Sequence, residues 1–188
     1  MKKSTLMSAL VCSVASCAAE SINVSICILG PIPATVVERA KSETSAIFRA
    51  ADVEVVWQKC GSGPRAEVAA RERRFSIRLR TDSAAQTIGT TSLDAMGFTY
   101  LSVLDAGYLA DVYYRTVELV AAGKNSDKGV LLGCVMAHEL GHLLLGSGHV
   151  PNGIMRTAWG RKDFDAIETG GMKFDAAQSA SIRRALIH

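Results

Sequence analysis

The chain has 188 residues, 48% of them hydrophobic, and a formal net charge of +3, which suits one domain around one sizeable core and excludes a disordered or collagen-like chain. Setting aside Lys2 and Lys3 as part of a removable leader takes the 21 basic residues to 19, against 18 acidic ones. That near-balance gives no case for nucleic acid as a partner.

The leader is the opening "MKKSTLMSALVCSVASCAAE": two lysines, an apolar run from Leu6 to Ala15, then small residues. This is the layout of a bacterial-type secretory signal, and the run is too short to span a bilayer. Two processing routes stay open. Cleavage near Ala19 makes residues 1–19 a signal peptide; lipid attachment at Cys17 makes residues 1–16 a lipoprotein leader and anchors the protein to a membrane, since "VASC" resembles a lipoprotein box with Val14 where leucine is commoner. Either route puts a single domain, residues 20–188, outside the cytoplasm: secreted, periplasmic or held on the envelope. Of the five cysteines, Cys27, Cys60 and Cys134 lie beyond the leader. They allow at most one disulfide, and the expectation is buried thiols packed as small apolar groups.

"INVSICIL" (22–29) reads as a strand, broken by Pro31 and Pro33 before a helical pattern over 34–51 with Val36, Val37, Ala40, Ile47 and Phe48 on its apolar side. "VEVVWQ" (53–58) is a second strand, and strand, helix, strand at this length is a right-handed crossover with parallel strands. After the turn-rich "GSGPRAE", "RFSIRLR" (74–80) alternates Phe75, Ile77 and Leu79 with Ser76, Arg78 and Arg80, a strand with one polar face. Six arginines between residues 65 and 80 are read as a solvated strand face ahead of a basic patch for an acidic partner. "FTYLSVL" reads as a strand, and "YLADVYYRTVELVAAG" fits alternation early and helical spacing late. No repeat, low-complexity tract or linker divides the chain.

From Val130 to Leu145 the chain is apolar almost all round, as a buried helix should be, yet it carries His138, Glu139 and His142. An ionisable trio on a buried helix needs compensation, which a metal cation supplies. His138 and His142 are one turn apart on one face, so both imidazoles can reach one ion, while Glu139 lies about 100° round the helix, placed to hold a water without ligating. This H-E-x-x-H spacing is the signature of zinc hydrolases, with the glutamate as general base. A helix continued to His149 would carry it on the order of 10 Å too far along the axis. Gly146 or Gly148 can instead take a left-handed conformation, end the helix and return His149 as a third ligand, leaving a fourth position for water.

The stretch "HELGHLLLGSGHVPNGIM" resembles the metzincin clan of zinc metallopeptidases, whose pattern is H-E-x-x-H-x-x-G-x-x-H followed by a methionine turn. The resemblance implies a metal set of His138, His142 and His149 on one Zn2+, Glu139 as the catalytic base, and Met155 of "GIM" as the turn methionine. Three residues, Leu143 to Leu145, stand between His142 and Gly146 where the pattern has two; a helix one residue longer or a local bulge would absorb the difference. Thr157 occupies the place where some metzincins carry an oxyanion-stabilising tyrosine, which leaves zinc itself in that role, with Arg156 as a helper or an ordinary surface residue. "DFDAIETGG" (163–171) reads as a loop or short helix, and "FDAAQSASIRRALI" (174–187) as a last helix with Asp175 near its start and Ile182, Ala185 and Leu186 inward.

The fold implied is thus α/β (α+β), metzincin-like: a mixed, mostly parallel twisted sheet, a long N-terminal helix, a buried active-site helix, a Met turn and a C-terminal helix. The implied function is a zinc metalloendopeptidase, a hydrolase acting on protein or peptide substrates, expected as a monomer without a long propeptide. Glu168, as the acidic third ligand of thermolysin-like peptidases, and Cys134, one turn before His138, rank below His149 as ligands. The rival is a catalytically inactive zinc-binding envelope or binding protein of the same fold; a zinc carrier or sensor is a third class. Retention of Glu139 argues against a purely structural site.

Overall fold

The computed structural model describes residues 20–61, 74–82, 84, 95–102 and 107–187. The leader, both of its processing sites, most of the "GSGPRAE" loop, Arg65, Arg71 and Arg73, and the Val103–Leu104 end of "FTYLSVL" lie outside them.

Among the described residues, five strands and five helices follow in chain order: β1 (Glu20–Leu29), α1 (Ala34–Arg49), β2 (Val53–Lys59), β3 (Arg74–Arg80), β4 (Gly97–Leu101), β5 (Gly107–Tyr113), α2 (Tyr114–Lys124), α3 (Lys128–Leu145), α4 (Arg161–Glu168) and α5 (Ala176–Ile187). The sheet runs β2-β1-β3-β5-β4. Every pairing is parallel except that of the terminal strand β4 with β5. The β1-α1-β2 crossover is where periodicity places it, and "YLADVYYRTVELVAAG" changes from strand to helix at Tyr113/Tyr114.

Alternation decides which face is buried. Ile22 and Val24 on β1, Phe75, Ile77 and Leu79 on β3, and Ala110 and Val112 on β5 join one core with Val37, Ala40, Ile47 and Phe48 of α1. Against them lies α3, buried along nearly its whole length. Asp127 starts it, its carboxylate accepting from the amides of Gly129 (2.8 Å) and Val130 (2.9 Å), two of the donors a helix start leaves unpaired. The fully buried Thr44 hydroxyl sits 2.9 Å from the Gly133 carbonyl and ties α1 to α3. Asp175 and Gln178 cap α5 reciprocally, at 2.7 and 3.0 Å, and Ile182 faces the core.

Two readings are corrected. Cys27 and Cys60 are not separate buried thiols but a disulfide with Cα atoms 4.8 Å apart; Cys134 alone is a free, buried thiol among the described residues. The cause is register: Ile26 lies opposite Lys59, so the next position along the parallel pair sets Cys27 opposite Cys60. The arginine-rich strand is also not simply solvated. Arg78 grips the fully buried Asp111 through two nitrogens at 2.5 and 2.9 Å, Tyr100 donates to the same carboxylate at 3.0 Å, and Arg80 pairs with Asp82. These arginines stay partly exposed on the polar face of the sheet, but each is paired with a carboxylate.

Candidate metal centre

The last two turns of α3 carry His138, Glu139 and His142. The helix stays α-helical through Leu145 and stops at Gly146, whose φ of 86° and ψ of −168° form a conformation open in practice to glycine alone. The additional residue before Gly146 is therefore taken up as helix length. Gly148 does not take a positive φ. The chain then turns back, held by the Val150 amide on the Met155 carbonyl at 3.1 Å, and His149 meets the helix histidines.

His138 Nδ1 lies 2.7 Å from the Ile154 carbonyl and His142 Nδ1 lies 2.9 Å from that of Gly146. A carbonyl only accepts, so each Nδ1 carries the proton and each Nε2 presents a lone pair. Yet His142 Nε2 is 3.0 Å from His138 Nε2 and 3.2 Å from His149 Nε2, and one ligand atom from each of the three histidines lies within 4.8 Å of the others. Facing lone pairs repel unless a cation stands between them. Nitrogens at about 2.0–2.1 Å from a tetrahedral zinc are roughly 3.3–3.4 Å apart, so donor set and spacing fit zinc. Burial first, and then the neighbouring imidazoles, push the pKa of His138 down to about 4, against the hydrogen bond it donates to the Ile154 carbonyl; burial also lowers that of His142. Both stay neutral and ready to ligate at physiological pH.

Glu139 is almost wholly buried, with its Oε2 accepting from the Thr99 hydroxyl at 2.6 Å. Burial raises its pKa to about 7, opposed by that hydrogen bond. Oε1 lies against Gly97, where any side chain would collide with the carboxylate. Met155 is 1% exposed beneath Gly141, and a Cβ on Gly141 would meet its sulfur and come 3.0 Å from Phe174 Cε1. Its neighbour Ile154 supplies the carbonyl that aims His138, so the turn both packs under the helix and orients one of the three histidines.

The structure thus brings His138, His142 and His149 together, sets Glu139 beside them and Met155 below. The alternatives fall away. Glu168 receives hydrogen bonds from Ser126 Oγ and the Asp127 amide, and Cys134 is buried with its thiol pKa pushed up by burial; neither belongs to the converging group. Arg156 reaches the cavity but is held by Asp163 at 2.7 Å. Sequence reasoning did not single out Thr99, which comes from a strand forty residues away, or Trp159, whose ring stands edge-on to His138 at 5.9 Å. The centre opens into a cavity of about 920 Å³ bordered by β4, α2, the start of α4 and the segment after Met155.

No protein-family model matches the sequence, and no curated protein is similar to it. Solved structures do match. An archaemetzincin from Methanopyrus kandleri superposes with a TM-score of 0.55 at 17% identity, covering 89% of this chain and 97% of that one. A zinc-dependent peptidase from Methanocorpusculum labreanum gives 0.54 at 16% identity over 85% and 99%. Metalloproteinase-II from Bacteroides fragilis gives 0.52 at 12% identity, over 91% of this chain and 54% of its own. At such identities the likeness is one of fold alone.

Proposed function

We propose that the chain is an exported zinc-dependent endopeptidase of metzincin type, with one Zn2+ held by His138, His142 and His149 and with Glu139 as general base. The observation that carries this reading is the convergence of three Nε2 atoms, two of them lone-pair donors fixed by backbone carbonyls, beside a buried carboxylate. The chemistry zinc supplies when bound is Lewis acidity, which acidifies water and polarises a carbonyl oxygen.

Glu139, with a pKa near 7, is suited to take a proton from the attacking water and return it to the leaving amine. Thr99 fixes one carboxylate oxygen, and the bare Gly97 leaves room at the other. β4 is the terminal strand of the sheet and lines the same cavity, so an extended peptide can seat beside it as strands add to an edge. The disulfide supports export, because such bonds persist in oxidising compartments. Export by the N-terminal signal, with either cleavage near Ala19 or lipid attachment at Cys17, and a monomeric state belong to the same proposal.

The test is metal content together with cleavage of an unfolded protein by wild type and Glu139→Gln. Both should hold one zinc, and the variant should lose turnover by about 10²–10⁴-fold. Equal rates would overturn the role of Glu139, and a zinc-loaded but inactive wild type would favour the non-catalytic rival.

A further inference from the structure

The cavity runs past the histidines along apolar walls from Val120, Val135 and Phe164, and it also takes in Lys124. Val120 and Lys124 are one turn apart on the same face of α2. Lys124 is the last residue of α2, a short loop before α3 begins at Lys128, whereas His138 lies ten positions into α3. Roughly 15 Å of helix axis therefore separates the two ends. The Lys124 ammonium stands 5.6 Å from the centre of the Phe164 ring, a cation–π contact that steadies it.

The nearby carboxylates are engaged elsewhere. Glu118 pairs with Lys128 at 3.2 Å, Asp163 with Arg156 at 2.7 Å, and Glu168 is held by Ser126 and the Asp127 amide. Glu139, at the metal centre, is the single carboxylate among the described residues lining the cavity. The cavity therefore pairs apolar walls with a cation that no carboxylate among the described residues neutralises.

We infer that the substrate position whose side chain enters this cavity is glutamate, its methylenes against Val120, Val135 and Phe164 and its carboxylate on the Lys124 ammonium. The inference rests on the peptidase reading and adds a substrate class to it. A lysine or arginine there would meet a like charge. A leucine or methionine would cover the ammonium without replacing its water, at a desolvation cost. An aspartate, one methylene shorter, is disfavoured by the length to be crossed.

Alkyl hydroxamates, which grip zinc directly, test this without turnover. One series ends in a carboxylate, one in a neutral amide and one in an amine, with chains from about four to about ten methylenes to bracket the helix distance. Their binding is measured by calorimetry to zinc-loaded wild type, Lys124→Met and Lys124→Glu; Lys124 is exposed, so both variants should fold. At one chain length wild type should bind the acid about fivefold tighter than the amide, as a partly solvated ion pair allows. The preference should vanish in Lys124→Met and pass to the amine in Lys124→Glu. In turnover, replacing glutamate by glutamine in a cleaved peptide should lower kcat/KM for wild type and not for Lys124→Met. Acid and amide binding alike at every length in all three proteins would overturn the inference and leave the peptidase intact. Failure of every hydroxamate to bind would remove the metal centre, and the inference with it.

Discussion

Replacing both Cys27 and Cys60 by alanine tests the cross-link that register, not sequence spacing, creates. The bond closes a loop of 33 residues containing α1 and all of β2. Restricting the unfolded chain by a loop of that length is worth about 3.7 kcal/mol at 25 °C, from −2.1 − 1.5R ln n cal/mol/K. For a domain of this size the loss should lower Tm by about 10 °C. Urea unfolding without reductant measures it, and reduced wild type should follow the curve of the double variant. The m value should rise in the unlinked protein, because its unfolded state expands further. Zinc content should not change, since the bond joins β1 to β2 while the metal centre borders β4 at the opposite end of the sheet. A difference below about 1 kcal/mol would refute the loop-entropy argument as applied to this fold.

Thr99→Val removes the donor that favours ionised Glu139, so the carboxyl pKa should rise. A hydrogen bond to a charged group contributes about 1.5–3 kcal/mol, or roughly one to two pH units. Since the base must be ionised to act, the acid limb of the kcat/KM profile should move to higher pH; an unmoved limb would dismiss Thr99 as a modulator. His149→Ala should lose zinc affinity by a large factor, while Glu168→Ala and Cys134→Ala stay near wild type, as measured by competition with a chelating dye. Gly146→Ala forces a side chain into a glycine-only conformation at a cost of about 1–3 kcal/mol. It should also weaken zinc binding, because the Gly146 carbonyl orients His142; denaturation and zinc titration of the same sample check both.

What could be read from the sequence is what is local in it. The βα start of the fold, the buried α3, the one-turn spacing of His138 and His142 and a glycine reversal ahead of His149 follow from periodicity and backbone preference. Gly146 and Gly148 were equal candidates for that reversal, and only the end of the helical hydrogen bonding distinguishes them. Features made by pairing were out of reach. Cys27 meets Cys60, and Arg78 meets Asp111, because parallel strands align them, and nothing in either segment announces its partner. Thr99 reaches Glu139 because β4 closes the sheet antiparallel, a choice the alternation of "FTYLSVL" does not encode.

That placement of Thr99 gives β4 a second duty. Its backbone pairs with Ala110 across the ladder while its side chain holds the carboxylate of Glu139, so the strand along which a peptide would be laid out also fixes the proton acceptor. Were β4 to slip by one residue, side chains would exchange faces: Phe98 or Tyr100 would be driven toward the carboxylate and Thr99 turned away. The irregularity between Tyr100 and Leu101, where Tyr108 of β5 has no opposite residue, resists such a slip, since an extra residue on one strand breaks the ladder's translational symmetry. The hydrogen bond that Thr99 gives Glu139 thereby depends on the pairing of β4 with β5, through backbone contacts separate from the three histidines.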